Sequence, residues 1–251
     1  MKTVQTLKKN LHEYGSFSES SVLEDIERLS EQLRGARILH INATAFGGGV
    51  AEILHTLIPL MNDCGLDVDW KVIEAPSEFF DLTKRMHNAL QGKEDILSQK
   101  DRSLFESVAK ENARFIEASE YDIVVIHDPQ PVGLPLFADF GNSRLVWRCH
   151  IDTSSPNPIF WEYLNSFLTS YDAGIFTLKS YSKEGIPIGE IYEIAPSIDP
   201  LSNKNRDLSD VELTNAIKKL GVDIRRPIIT QVSRFDPWKD PMGVVDVYRG
   251  L

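Results

Sequence analysis

The segment Tyr121 to Ile126 (YDIVVI) constrains the fold more than any other stretch of this chain. After Asp122 it is an unbroken run of β-branched apolar residues. Such a run has no polar face to offer water, which is the pattern of a strand covered on both sides in a parallel sheet. Arg37 to Ile41, Arg144 to Cys149, Asp172 to Leu178 and Ile191 to Ala195 read as further short strands. Val68, Trp70 and Val72 alternate with Asp67, Asp69 and Lys71 in a half-buried one. Helical periodicity fills the gaps at Val50 to Met61, Phe79 to Leu90, Arg102 to Ala118 and Pro158 to Leu168. Strands separated by helices imply an α/β, Rossmann-like, doubly wound sheet. Right-handed crossovers then gather the strand C-termini along one edge, where ligands usually bind.

Ahead of the first strand, Val22, Ile26, Leu29 and Leu33 mark a helix face, and Ser21 with Glu24 suggests a capping box. Beyond the sheet, Ser197 to Asp210 is polar and turn-rich, Val211 to Leu220 is helical, and Pro227 to Val232 begins a new strand before a helix from Met242. The expected division is a first domain over residues 1–197, a linker and helix over 198–225, and the start of a second domain over 226–251. One strand and one short helix do not close a second Rossmann-like domain. Ile228, Ile229 and Val232 are therefore expected to be poorly covered and to invite association, for instance as a homodimer, or partial disorder.

The net charge of −10, with no Lys- or Arg-rich block, argues against nucleic acid or an anionic membrane as partner. Cys64 and Cys149 show neither metal-ligand spacing nor a disulfide framework. The N-terminus lacks an apolar signal core, and no apolar run approaches a membrane span. A cytoplasmic protein without a bound metal is expected.

Four constellations could carry chemistry. Gly47-Gly48-Gly49 lies between a strand and a helix, where bare backbone admits a ligand to free N–H groups; the structural alternative is a tight packing turn. It is not the dinucleotide fingerprint. His127 and Asp128 follow the YDIVVI strand, as hydrogen-bond partners for sugar hydroxyls or, for Asp128, as a helix cap ahead of Pro129. His150 and Asp152 follow the Arg144–Cys149 strand; Asp152 and Ser154 could instead cap the next helix. Arg234 and Lys239 follow the 227–232 strand, suited to a diphosphate or, more blandly, to a solvated surface.

The ordered set of HINATAFGGGVAEIL, WRCHIDTSSPNP, IAPSIDP and QVSRFDPWKDP resembles family 4 of the retaining glycosyltransferases, which have the two-Rossmann-domain GT-B fold. Within that family it is most similar to the trehalose glycosyltransferring synthases and the related trehalose phosphorylases. The resemblance runs from about Arg37 to the last residue. It implies a nucleotide-glucose donor (UDP- or ADP-glucose), glucose as acceptor, α,α-trehalose as product and no metal requirement. By the same likeness His150 would touch the transferred sugar and Asp128 would lie on the acceptor side. Gly48 and Gly49 would face donor phosphate and acceptor, and Arg234 and Lys239 would bind diphosphate. The family's Glu-x7-Glu pair and base pocket belong to the later second domain and do not occur in these 251 residues, so the chain by itself is expected to have little or no transferase activity. The other readings are a trehalose phosphorylase and a non-catalytic sugar-binding subunit.

Overall fold

Seven strands form one sheet: β1 (Lys2–Thr3), β2 (Arg37–Asn42), β3 (Asp67–Val72), β4 (Ile123–His127), β5 (Arg144–Cys149), β6 (Ala173–Phe176) and β7 (Glu190–Glu193). Their order is β1-β3-β2-β4-β5-β6-β7, and every pairing except β1 with β3 is parallel. The computed structural model describes residues 1–116, 120–223, 225–233, 235 and 239–250. The chain divides into two compact units, Met1–Pro200 and Leu201–Leu251.

In the first unit, α1 (Ser20–Gln32), α2 (Gly49–Asp63), α3 (Ser77–Leu90), α4 (Gln99–Ala113) and α5 (Pro158–Leu168) join the strands. Residue alternation sorts the sheet into two faces. Leu39, Ile41, Val124, Ile126, Leu145, Trp147 and Phe176 pack with α3, α4 and α5 residues such as Met86, Phe105 and Phe160, all buried. Ile38, Val68, Trp70 and Val72 on the opposite face meet Ala51, Leu54 and Ile58 of α2. Burying each large side chain contributes about 1.5–3 kcal/mol. Trp147 also satisfies its polar end by donating from Nε1 to the Asp128 carbonyl at 3.1 Å, tying β5 to the tip of β4.

Some local expectations fail in the helices of this unit. α1 has no Ser21–Glu24 capping box; its N-cap is Glu19, without a side-chain cap bond. Its apolar face is also half open, with Val22 47%, Leu29 49% and Leu33 46% exposed, because this helix packs mainly on the short 3₁₀ helix Leu11–Ser16. α4 begins three residues earlier than expected, where Ser98 and Asp101 form a reciprocal capping box. It ends at Ala113, and residues 117–119, which the expected helix included in part, lie outside the described residues.

In the second unit, α6 (Asp210–Lys219) starts from a Ser209–Glu212 capping box, and α7 (Pro241–Gly250) follows later. The strand expected over 227–232 is not formed. A strand needs a neighbour to take its N–H and C=O groups, and the described residues of this unit supply none. Ile228, Ile229 and Val232 are 49%, 48% and 94% exposed, as the sequence leads one to expect. No helix among the described residues is long and apolar enough to cross a membrane.

Candidate functional site

The chain runs from β2 outward to β3, then returns to lay β4 on the other side of β2. That reversal is a topological switch point, the place on an open α/β sheet where ligands usually bind, beyond the strand C-termini. The loop after β2 carries Gly47–Gly49, the tip of β4 carries His127 and Asp128, and the tip of neighbouring β5 leads into His150 and Asp152. All these residues leave the same edge of the sheet.

Gly47 and Gly48 have φ of +76° and +84°, where L side chains are strained. A Cβ added at Gly47, Gly48 or Gly49 would meet nothing within 4 Å. Backbone conformation, not crowding against the strand or helix, therefore calls for glycine at Gly47 and Gly48. α2 starts at Gly49 with no side-chain cap, so its first N–H groups are open to an anion or hydroxyl.

Asp128 caps no helix, contrary to the structural alternative. It adopts φ +62°. Its N–H donates to the Arg148 carbonyl at 2.9 Å, and its Oδ1 accepts the His150 N–H at 2.8 Å. Burial pushes its carboxyl up to about 6, against the pull of the His150 N–H and the Arg148 charge. Asp152 and Ser154 do not cap α5 either. Asp152 accepts the Ser154 N–H at 2.9 Å, while Asn157 caps α5 by accepting from Ile159 and Phe160.

The three strands also carry a chain of imidazoles. His40 Nδ1 lies 2.9 Å from His127 Nε2, and His127 Nδ1 lies 3.0 Å from His150 Nε2. The His127 and His150 rings stack at 5.4 Å, 14° apart. His127 is 1% exposed and has both ring nitrogens engaged, so it has no nitrogen left for a ligand. His150 is half-buried, and its Nδ1 is left over at the sheet edge. Burial, with the Arg148 charge, lowers His40 and His150 to about 4; burial, with the His40, His150 and Arg148 charges, holds His127 well below the ordinary imidazole range. All three are neutral near pH 7. Burial also lowers Arg148, whose guanidinium reaches the Ile194 carbonyl at 3.4 Å.

The sequence reading missed His40 and Arg148. The available signal was a polar residue within a strand, as in RILHIN and RLVWRC. Both line a cavity of about 660 Å³ on the α2 side of the sheet, which the 194–200 segment helps to wall. The expected IAPSIDP turn ends there. Asp199 accepts from Lys9 Nζ at 2.6 Å, Tyr14 Oη at 2.9 Å and Thr56 Oγ1 at 3.1 Å.

In the second unit, Lys239 is exposed, and its carbonyl accepts from Gln231 Nε2. Arg234 lies outside the described residues. Among the described residues no group of three His, Cys, Asp or Glu side chains is arranged to hold a metal ion.

A family model described as the trehalose synthase N-terminal domain matches residues 40–183. Over 245 residues the chain is 46% identical to a trehalose synthase of Rubrobacter xylanophilus, covering 96% of this chain and 59% of that protein. It is 45% identical over 243 residues to a trehalose synthase of Pyrococcus horikoshii, covering 96% of this chain and 58% of the relative. A trehalose phosphorylase of Pleurotus pulmonarius is more distant, 27% identical over 273 residues, covering 95% of this chain and 37% of that protein. The chain thus spans somewhat under three fifths of the length of the trehalose synthases it matches.

Proposed function

Since the chain belongs to the trehalose synthase N-terminal domain family, we propose that its first unit is the acceptor half of a retaining glycosyltransferase that joins glucose from UDP- or ADP-glucose to free glucose, making α,α-trehalose. The observation that carries this reading is that three loops leave neighbouring parallel strands at the switch point on one sheet edge, with His150 Nδ1 left over from the imidazole series on one of them.

In this reading His150 donates a hydrogen bond to a hydroxyl of the transferred glucose. Asp128 takes the acceptor side and also holds the His150 backbone, and Asp152 follows His150 at the same strand end. His127 acts from behind, through His150. Gly47, Gly48 and Gly49 leave the start of α2 bare toward donor phosphate and acceptor. Arg234 and Lys239, in the second unit, neutralise the diphosphate as the glycosidic bond breaks, which is when its charge grows. The acceptor attacks from the face the leaving group vacates, and the departing phosphate takes its proton. No metal is needed for these steps. Residues 226–251 belong to the nucleotide-sugar domain, and the exposed Ile228, Ile229 and Val232 favour association of copies. Two free cysteines agree with a reducing cytoplasm.

Calorimetric titration of glucose into the 251-residue chain tests the acceptor site. Saturable heat that disappears in His150→Ala is expected. A folded chain that gives no glucose heat would overturn the reading. Trehalose formation from UDP- or ADP-glucose, measured alongside, is expected to be slight.

A further inference from the structure

A neutral imidazole carries one N–H and one lone pair, so each ring in a hydrogen-bonded series dictates the tautomer of the next. His40, His127 and His150 form such a series through two bonds of 2.9 and 3.0 Å. Only two arrangements satisfy both bonds. In the first, every ring is protonated on Nδ1: His40 donates to His127, His127 donates to His150, and His150 is left with an Nδ1–H at the sheet edge. In the second, every proton sits on Nε2 and the direction reverses, so His150 presents a bare Nδ1 lone pair instead.

The far end of the series decides between them. His40 Nε2 is buried and has no hydrogen-bond partner. The first arrangement leaves a lone pair there, and the second leaves an N–H. Arg148 lines the same cavity as His40 and lies close enough for its positive charge to disfavour a charged His40. Arg148 bears on His127 and His150 as well, so what separates the two arrangements is the buried end: an interior N–H without an acceptor is rarer and costlier than an unused lone pair. The first arrangement is therefore the stable one.

We infer that His40 and His127 are positioning residues which lock His150 in its Nδ1–H tautomer, so that the ring meets a sugar hydroxyl as a donor and not as an acceptor. Neither touches the ligand. His127 transmits, and His40 sets the direction. The neutrality that burial and Arg148 impose on all three rings keeps the relay intact at physiological pH. The inference rests on the reading of His150 as the ligand-facing group, but its direct readout does not.

The test is two-bond ¹H–¹⁵N correlation on the ¹⁵N-histidine-labelled chain, which reports each ring's tautomer. Six histidines are present, and single substitutions assign them. His40, His127 and His150 are expected as Nδ1–H in the wild type. His40→Phe should give mixed tautomers at His150, and His40→Asn, which keeps an N–H donor near the Nδ1 position, should restore the wild-type signal. Glucose affinity should fall about tenfold in His40→Phe, the loss of one directed hydrogen bond, and recover in His40→Asn. An Nε2–H signal at His150 in the wild type would overturn the inference without any variant being made. So would an unchanged His150 tautomer in a folded His40→Phe chain. An intact Nδ1–H series in a chain that binds no glucose would instead sink the ligand role of His150 and leave the relay standing.

Discussion

The main-chain N–H of His150 donates to Oδ1 of Asp128 at 2.8 Å, and Asp128 reaches it from a left-handed backbone conformation with φ +62°. The carboxylate replaces the strand partner that His150 loses on leaving β5. The conformation aims it there, and Asp and Asn are the residues besides glycine that adopt it at least cost. Asp128→Asn keeps both the acceptor and the turn and removes a carboxylate whose charged form burial disfavours, so at pH 7 it should not destabilise the fold. Asp128→Ala loses both. An N–H left unsatisfied costs about 1–3 kcal/mol, and left-handed alanine adds about 1 kcal/mol. Urea unfolding should show the alanine variant roughly 2–4 kcal/mol less stable. An alanine variant as stable as wild type would remove Asp128 from its holding role.

Gly48 and Gly49 are adjacent but respond to different constraints. Gly48 has φ +84° and ψ 159°, a region open essentially to glycine alone, whereas Gly49 is the first residue of α2. Gly48→Ala should cost about 1–3 kcal/mol or force the loop to rearrange. Gly49→Ala meets no atom within 4 Å and should be neutral or stabilising by up to about 1 kcal/mol. Only Gly48→Ala should weaken glucose binding through loop geometry. Paired unfolding and titration curves check this; equal destabilisation by both would show that the backbone angle is not what selects glycine.

Stability should fall on mild acidification. His40 and His150 are lowered from 6.5 to about 4 in the folded chain, and His127 is lowered as well. The unfolded chain therefore takes up these protons first. The histidine contribution is fully present above pH 6.5 and is lost as pH falls toward 4. Asp128 works the other way: raised from 3.8 to about 6, its contribution is present below 3.8 and lost as pH rises through 6. Three imidazoles against one carboxyl leave a net uptake of at least about one proton, worth about 1.4 kcal/mol per pH unit. The urea midpoint should correspond to a loss of roughly 2–4 kcal/mol between pH 6.5 and 4.5, and His150→Gln should flatten the slope. Asp95 and Asp101, which are lowered through Arg85 and their own local bonds, yield their contributions only nearer pH 4 and below. A midpoint that rises on acidification would contradict the neutral histidine series.

The frame of the first unit was legible because its signals are local. The β-branched run of β4 admits no exposed face, and the glycine triplet interrupts helical spacing in a way only a turn explains. What was not legible depends on register. His40, His127 and His150 lie far apart in sequence and meet because β2 pairs with β4 and β4 with β5, bringing His40 opposite Val125 and His127 opposite Arg148 on one face. No spacing rule announces such a series before the strand order is known. Segment 227–232 has strand-forming residues, yet propensity does not make a strand without a neighbour to receive its hydrogen bonds. The cap of α5 was not legible because Asp152, Ser154 and Asn157 are all good caps, and only the path of the loop shows that Asn157 reaches the helix.

Asp199 offers a stability test outside the candidate site. Its side chain is 6% exposed and accepts from two separate parts of the first unit: from Lys9 and Tyr14 ahead of α1, and from Thr56 on α2. A buried carboxylate so placed fastens the end of the 194–200 segment to the N-terminal strand-to-helix connection. Asp199→Ala would strand an ammonium and two hydroxyls together. Removing one partner of a fully buried pair costs about 3–5 kcal/mol, but Lys9 is 22% exposed and regains part of its hydration, so a loss of roughly 2–3 kcal/mol is expected. Lys9→Met should cost less, since Asp199 keeps both hydroxyl donors while the methionine fills the space of the lysine stem. Limited proteolysis separates this clasp from a general loss of stability: in Asp199→Ala, cleavage within residues 1–14 should precede cleavage of the sheet, whereas Asp128→Ala at matched stability should show no such order. If both variants are cut in the same sequence of steps, Asp199 contributes to the overall balance but does not hold the N-terminal segment in place.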